Sequence, residues 1–195
     1  MKKLLFVSVL LTAMANLLAQ KHDLSFVFGS TPNDVYRDAG IVGGPSYTGK
    51  RSTLLGIGYF YTLSSRFDLA TGLEYSKSRF EISSNLIPGS ATASHREHIN
   101  LLSFPLGVRT NFLKYFFLYT GTSADVDLNP SENDVASMTG LGWNLGLGAK
   151  LNYQAATAFI NPFFQQHAAI SLASAGDSRE KLLIYGCKFG IGYRF

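Results

Sequence analysis

Hydrophobic and polar side chains alternate with a period of two along eight stretches of this chain. The stretches are residues 21–29, 52–62, 67–80, 97–112, 115–124, 138–151, 157–172 and 181–195. A period of two places successive side chains on opposite faces of a β-strand, whereas a helix would repeat about every 3.6 residues. The fifth stretch is aromatic at odd and even positions, so its pattern sets no register. The sequence therefore predicts an all-β chain of eight strands.

The predicted connections between these strands alternate between long and short. Long polar connections follow the first, third, fifth and seventh strands, at residues 30–51, 81–96, 125–137 and 173–180. Short ones lie near residues 64–65, 113–114 and 153–154. Long loops on one side and tight turns on the other are typical of outer-membrane barrels. We therefore expect an eight-stranded antiparallel up-and-down transmembrane β-barrel, with both termini on the short-turn, periplasmic side.

The composition of the two strand faces indicates which one points inward. One face carries most of the Phe, Tyr, Leu and Trp residues, and the other carries many glycines and most of the strand charges. Eight strands enclose only enough space for their own side chains or one small ligand. The apolar face is too bulky for that space, so we expect it to contact lipid. The alternative is a secreted ligand-binding barrel with its apolar face inside, which would be soluble without detergent.

The glycine-rich face predicts a charged lumen. Unpaired buried charges are very costly, so each charge in the lumen should have a partner of opposite sign. Such pairs would plug the barrel; the alternative is that they line a narrow, porin-like path for small solutes. The members of this predicted lumen network are Asp68, Glu74, Arg109, Lys150, Lys188 and Arg194.

The first nineteen residues predict a signal peptide. Lys2 and Lys3 precede an apolar core at residues 4–11, and small residues follow. We expect cleavage after Ala19, with residues 13–15 as the alternative site, and residues 20–195 as the barrel domain. The segment is short for a membrane-spanning helix, which needs roughly 20 apolar residues, and this favours export over an N-terminal anchor.

Composition and charge exclude several classes of protein. The length of 195 residues suits one domain, and a single Cys excludes a disulfide framework. The formal net charge of +4 includes two lysines of the expected signal peptide. The sequence has no cluster of Lys and Arg with interleaved aromatic residues, so we expect no nucleic-acid partner.

Several sequence runs carry a resemblance to a known family. They are residues 101–106 with their continuation at 109–112, residues 146–151 and residues 190–195. With the signal peptide, they resemble the small outer-membrane β-barrel proteins, porin-family and OmpA/OmpX-like, of Bacteroidetes-type bacteria. The resemblance covers the mature chain and implies a location in the Gram-negative outer membrane, with lipid and lipopolysaccharide as partners, but no single activity. The residues similar to the C-terminal signal of the barrel-assembly machinery are Phe189, Ile191, Tyr193 and Phe195.

His167 and Ser171 are similar to the His and Ser of outer-membrane lipid A deacylases. Those enzymes place Ser two residues after His, whereas here it follows four residues later. Two pleats of a strand separate such residues by about 13 Å. A nucleophile and its base must approach to about 3 Å, so we expect no catalytic site here.

Residues that could bind a metal are also poorly arranged. Residues 125–129 begin like a calcium loop but lack its turn glycine and its closing Glu. With Glu132 and Asp134 they leave open a loose surface site for calcium or for bridging lipopolysaccharide. His95 and His98 would point to opposite faces of a strand. We expect no metal site and no cofactor.

Together these features predict an integral outer-membrane protein that is not an enzyme. Its role would be structural in the envelope or an interaction at the surface, with a narrow conduit as the alternative and a lipid A-modifying enzyme as the least favoured. Specific contacts of a barrel belong to its loops. The first predicted loop is the longest, and its candidate contact residues are Tyr36, Arg37, Tyr47, Lys50 and Arg51.

Overall fold

The computed structural model describes residues 21–37, 46–84, 93–130, 137–172 and 180–195. The predicted signal peptide lies outside these residues. Within the described ranges, no helix is long and apolar enough to cross a bilayer. The strands are β1 (His22–Thr31), β2 (Asn33–Arg37), β3 (Ser46–Thr62), β4 (Phe67–Ser84), β5 (Ala93–Phe112), β6 (Phe116–Asp127), β7 (Gly140–Tyr153), β8 (Ala156–Ser171) and β9 (Glu180–Arg194).

The strands close into a ring. From β3 to β9 each strand pairs antiparallel with the next, and β1 pairs with both β3 and β9. Gly29 of β1 faces Lys188, and Asn33 of β2 faces Ile184, in one unbroken register along β9. Pro32 has no N–H for the ladder, so it interrupts the strand without shifting it. β1 and β2 therefore fill one position, and the predicted eight-stranded up-and-down barrel is confirmed.

One end of the barrel carries the tight turns and both ends of the described chain. The turns are residues 63–66, 113–115 and 154–155, close to the predicted positions. Leu113 and Gln154 adopt left-handed φ values of 54° and 52°, which reverse the chain in few residues. His22 and Phe195 exchange backbone hydrogen bonds of 3.1 and 2.8 Å and so join the start of β1 to the end of β9. We call this end the turn end and the opposite end the loop end.

At the loop end the strands are longer than predicted. Residues 33–37, 46–51, 81–84, 93–96 and 125–127 belong to strands rather than to the long connections. Inward side chains such as Val35 and Ile82 are buried there, and their polar neighbours along the strand face outward. The assignment of Tyr36, Arg37, Tyr47, Lys50 and Arg51 to a loop is therefore wrong: the first two lie in β2 and the others in β3.

The apolar faces of the strands point outward, as predicted. Leu141, Trp143 and Leu145 of β7 are exposed, while the intervening Gly142 and Asn144 are buried. Pairing with β5 and β7 also sets the register of β6, which the sequence left open. Phe117 points into the barrel, and its neighbours on either side point outward.

The interior also holds an apolar core that the sequence analysis did not anticipate. Its larger part fills the loop end, above the charged residues, and is supplied by inward positions of five strands and by Met138, two residues before β7. The side chains of this part are Val35, Leu54, Phe80, Ile82, Ile99, Leu101, Met138, Leu182 and Ile184, each at most 7% exposed.

Candidate functional site

Asp68 is the centre of an ion cluster inside the turn end, which we call the Asp68 cluster. Arg109 stands directly opposite it on β5, and its Nε donates to the carboxylate at 2.8 Å. Asn111 donates to the same oxygen at 2.9 Å, and Lys150 reaches it from β7 at 3.4 Å. Asp68 and Arg109 are 1% and 2% exposed. The cluster thus joins β4, β5 and β7 through the lumen.

Aromatic rings hold the Arg109 guanidinium in place. Its central carbon lies 4.0 Å from the ring centre of Phe60 and 5.6 Å from that of Phe117. Phe159 packs edge-on against both rings. A guanidinium over an aromatic face is attracted by the ring quadrupole, more strongly when both are desolvated. The inward Phe residues are therefore part of the charged site rather than inert filling.

A second ion cluster, the Glu74 cluster, spans the middle of the lumen. Lys188 of β9 donates to both carboxylate oxygens of Glu74 on β4, at 3.0 and 2.8 Å. It also donates to Gln165 Oε1 at 3.2 Å and lies 4.4 Å from the ring centre of Phe163. β4 and β9 are not neighbours in the sheet, so this bridge crosses the barrel.

A small cavity separates the two clusters. Glu74, Arg109, Lys188, Asn161 and Tyr119 line it together with the inward Phe rings, and its volume is about 50 Å³. A buried water molecule needs about 10–15 Å³ of such a cavity, so there is room for a few waters. It has no room for a nutrient-sized solute.

Asp125 and His167 form a third close polar contact nearer the loop end. His167 Nδ1 lies 2.9 Å from Asp125 Oδ2, and both side chains are at most 2% exposed. A bulge in β8 aims the histidine: His167, Ala168 and Ala169 stand opposite the single residue Gly142 of β7. The structure does bring a histidine and a carboxylate together, but the pair lies inside the barrel. No described hydrogen bond joins His167 to Ser171.

The acidic stretch at the end of β6 is not a solvated loop. Asp125 is buried as described above, and Asp127 accepts hydrogen bonds from the backbone N–H groups of Met138 and Asn129. Asp127 therefore organises the approach to β7. Glu132 and Asp134, the other members of the calcium or lipopolysaccharide-bridging site that the sequence left open, lie outside the described residues.

The remaining sequence candidates are placed as follows. Arg194 is half-buried at the turn end, opposite Asp23 on β1, and makes no ion pair with a described residue. His95 contacts Glu97 at 3.3 Å. In the part of the chain that the structure describes, no three His, Cys, Asp or Glu side chains are grouped as metal ligands.

The sequence did not identify two polar residues as members of these ion clusters. Asn111 and Gln165 complete the two ion clusters, and both lie at inward positions of their strands. That alternation could have identified them, since both sit on a face already assigned to the lumen. The bulge in β8 has no comparable signal, because nothing in its residues distinguishes it from regular strand.

The outer wall carries a belt of exposed apolar side chains, which we call the girdle. It comprises the outward positions at 24–28, 55–61, 67–75, 102–112, 116–126, 141–151, 156–164 and 185–193, none of which is Asp, Glu, Lys or Arg. Phe26, Ile57, Leu106 and Leu147 are each more than half exposed. From Phe67 to Tyr75 the girdle runs eight residue steps, about 27 Å along the strand.

Comparisons with known proteins identify no family for this chain. No family model and no curated protein matches the sequence. One similar solved structure is that of Ail, the attachment invasion locus protein of Yersinia pestis, in complex with the heparin analogue sucrose octasulfate. It is 16% identical in sequence, with a TM-score of 0.48, and the match covers 90% of this chain and 99% of that one. Another is the outer membrane protein OprG of Pseudomonas aeruginosa: 15% identity, TM-score 0.43, covering 91% and 97%. At such values we take no function from either protein.

Proposed function

We propose that the chain is an integral protein of the outer membrane of a Gram-negative bacterium. The support is the girdle, which faces outward, while the charges of the same strands face the lumen. A transmembrane barrel carries an apolar band about 25 Å tall, and a charge on that band costs about 2–4 kcal/mol near the midplane. A secreted ligand-binding barrel would bury its apolar face, and here that face is exposed.

Its orientation and route follow from the same proposal. Residues 1–19 direct export, and the turn end lies in the periplasm. Aromatic residues at the turn end, including Tyr61, Phe67, Tyr153 and Tyr193, have rings suited to the headgroup level. Phe189, Ile191 and Tyr193 face outward on β9 and, with Phe195, are exposed and so available to the barrel-assembly machinery.

We infer that the barrel is closed and has a structural or surface-interaction role rather than an enzymatic or conducting one. The Glu74–Lys188 bridge carries this inference, because it spans the lumen between non-neighbouring strands. The Asp68 cluster lies on one side of it and the apolar core of the loop end on the other. A barrel of eight strands leaves little interior space, and these groups occupy most of it, with a small cavity between the two ion clusters.

Conductance across a planar bilayer tests the closed lumen. We expect the refolded chain to show no steady current. A Glu74→Ala/Lys188→Ala variant, which removes the bridge, should show brief openings, whereas Lys114→Ala at an exposed turn should behave as wild type. A steady current through the wild-type protein would overturn the closed lumen and establish the conduit instead.

A further inference from the structure

A group of basic side chains lies on the outer wall directly above the girdle, toward the loop end. On β4 the outward positions change from Leu73 and Tyr75 to Lys77 and Arg79 within one pleat. β5 changes in the same way, and Arg96 and His98 follow Leu102 along its outward face. The change is thus aligned across neighbouring strands.

A bulge in β3 concentrates these charges. Gly49 pairs with Phe80 and Arg51 with Arg79, so Lys50 is an extra residue on the β3 side. A bulge of this kind lets two successive side chains lie on one side of the sheet, and both Lys50 and Arg51 are exposed. Arg51 and Arg79 then stand directly opposite each other, an arrangement that is destabilising for like charges unless an anion offsets it.

The described residues offer little negative charge to balance this group. Glu81 forms an ion pair with Lys50 at 2.8 Å and stands opposite Arg96. Glu97 contacts His95 instead. Among the described residues no carboxylate forms an ion pair with Arg51, Lys77 or Arg79. A pocket of about 400 Å³ lies here, lined by Lys50, Lys77, Arg79, Phe80, Arg96, Glu97 and His98.

The position of the pocket identifies the kind of anion. An anionic group held by Lys77 and Arg79 has the exposed Leu55, Leu73 and Tyr75 of the girdle just below it. A lipid supplies both parts, a phosphate for the basic side chains and acyl chains for the girdle. A soluble polyanion would use only the charges. We propose that this pocket binds the phosphate groups of an outer-leaflet glycolipid of the lipid A class, an inference that rests on the proposed membrane location.

Binding of lipid A by the full mature chain tests the proposal. The protein is inserted into phosphatidylcholine vesicles containing either bis-phosphorylated lipid A or its dephosphorylated form, and bound lipid is measured after extraction. We expect retention of the phosphorylated form only. Surface cations attract anionic lipid, so Arg51→Gln/Lys77→Gln/Arg79→Gln, which removes three of them, should weaken retention roughly a hundredfold. Arg79→Gln alone serves if the triple variant does not insert.

The matched control removes three cations from the turn end, as Lys21→Gln/Arg66→Gln/Lys114→Gln, and should retain lipid A as the wild type does. Equal losses in both triple variants, or none in either, would overturn the proposal. So would full competition by inorganic pyrophosphate at the same phosphate concentration, which would indicate a site for soluble anions. Flotation with the vesicles separates this failure from failure of the membrane location, because a chain that does not float contradicts the location itself.

Discussion

Among the described residues, Arg109 has the largest side chain that is fully buried. Arg109 forms an ion pair with Asp68, and its guanidinium lies over the ring of Phe60. The direct pairing of β4 with β5 places Arg109 and Asp68 opposite each other. Burying two charges costs several kcal/mol for each ion, and only close contacts with additional hydrogen bonds offset that cost. Asn111 and Lys150 supply these contacts at Asp68, so the cluster is stable only as a unit.

Replacement of Arg109 by Met should expose that interdependence. Arg109→Met leaves the Asp68 carboxylate buried with Asn111 and the more distant Lys150, and we expect a loss of about 3–5 kcal/mol in the free energy of unfolding. Urea unfolding of the protein in detergent micelles or vesicles measures it. Asp68→Asn/Arg109→Met removes both charges and should recover part of the loss. A double variant less stable than Arg109→Met would contradict a unit of paired charges.

At the scale of single elements, β8 departs most from a regular strand. Its bulge places Ala168 at φ 52°, in the left-handed region, and brings His167 to Asp125. A left-handed conformation costs a residue with a Cβ roughly 1–2 kcal/mol, whereas glycine adopts it freely. The strained residue, Ala168, directly follows His167, whose side chain points into the lumen.

Ala168→Gly should therefore be neutral or stabilising, by up to about 1 kcal/mol. Ala158→Gly, at a regular outward position of the same strand, should instead cost about 0.5–1 kcal/mol through chain entropy. Unfolding in urea compares the two variants directly. If Ala168→Gly destabilised the barrel as much as Ala158→Gly does, the left-handed bulge would not be the conformation of β8.

The same elements show how far the sequence alone could reach. Alternation defines strands wherever one face is apolar, and it placed Asp68, Glu74, Arg109, Lys150 and Lys188 on inward positions of the barrel. It fails where the outward face turns polar, so it predicts connections at residues 46–51, 81–84 and 93–96, which are the loop-end tips of β3, β4 and β5. It also cannot detect a shift in register, because a bulge changes pairing and not composition. The bulges that aim His167 and gather Lys50 with Arg51 were therefore missed.

At the scale of the whole molecule, the barrel reverses the usual relation of core and surface. Its outer wall is apolar across the girdle, and its interior combines ion pairs with a smaller apolar core. Soluble monomers rarely expose apolar patches larger than a few hundred Å². If the proposed membrane location is correct, we expect folding to need lipid or detergent, because in water the girdle would drive aggregation.

Trp143 reports on this dependence, because it is the single tryptophan and lies on the outer wall, 40% exposed. Its Nε1 donates to Gln166 at 2.9 Å, and its ring lies 5.2 Å from that of Phe164. In vesicles we expect lipids brominated on their acyl chains to quench its fluorescence strongly and aqueous iodide to quench it weakly. Efficient quenching by iodide with no effect of brominated lipid would place Trp143 in water, and the girdle would then need another partner than the bilayer.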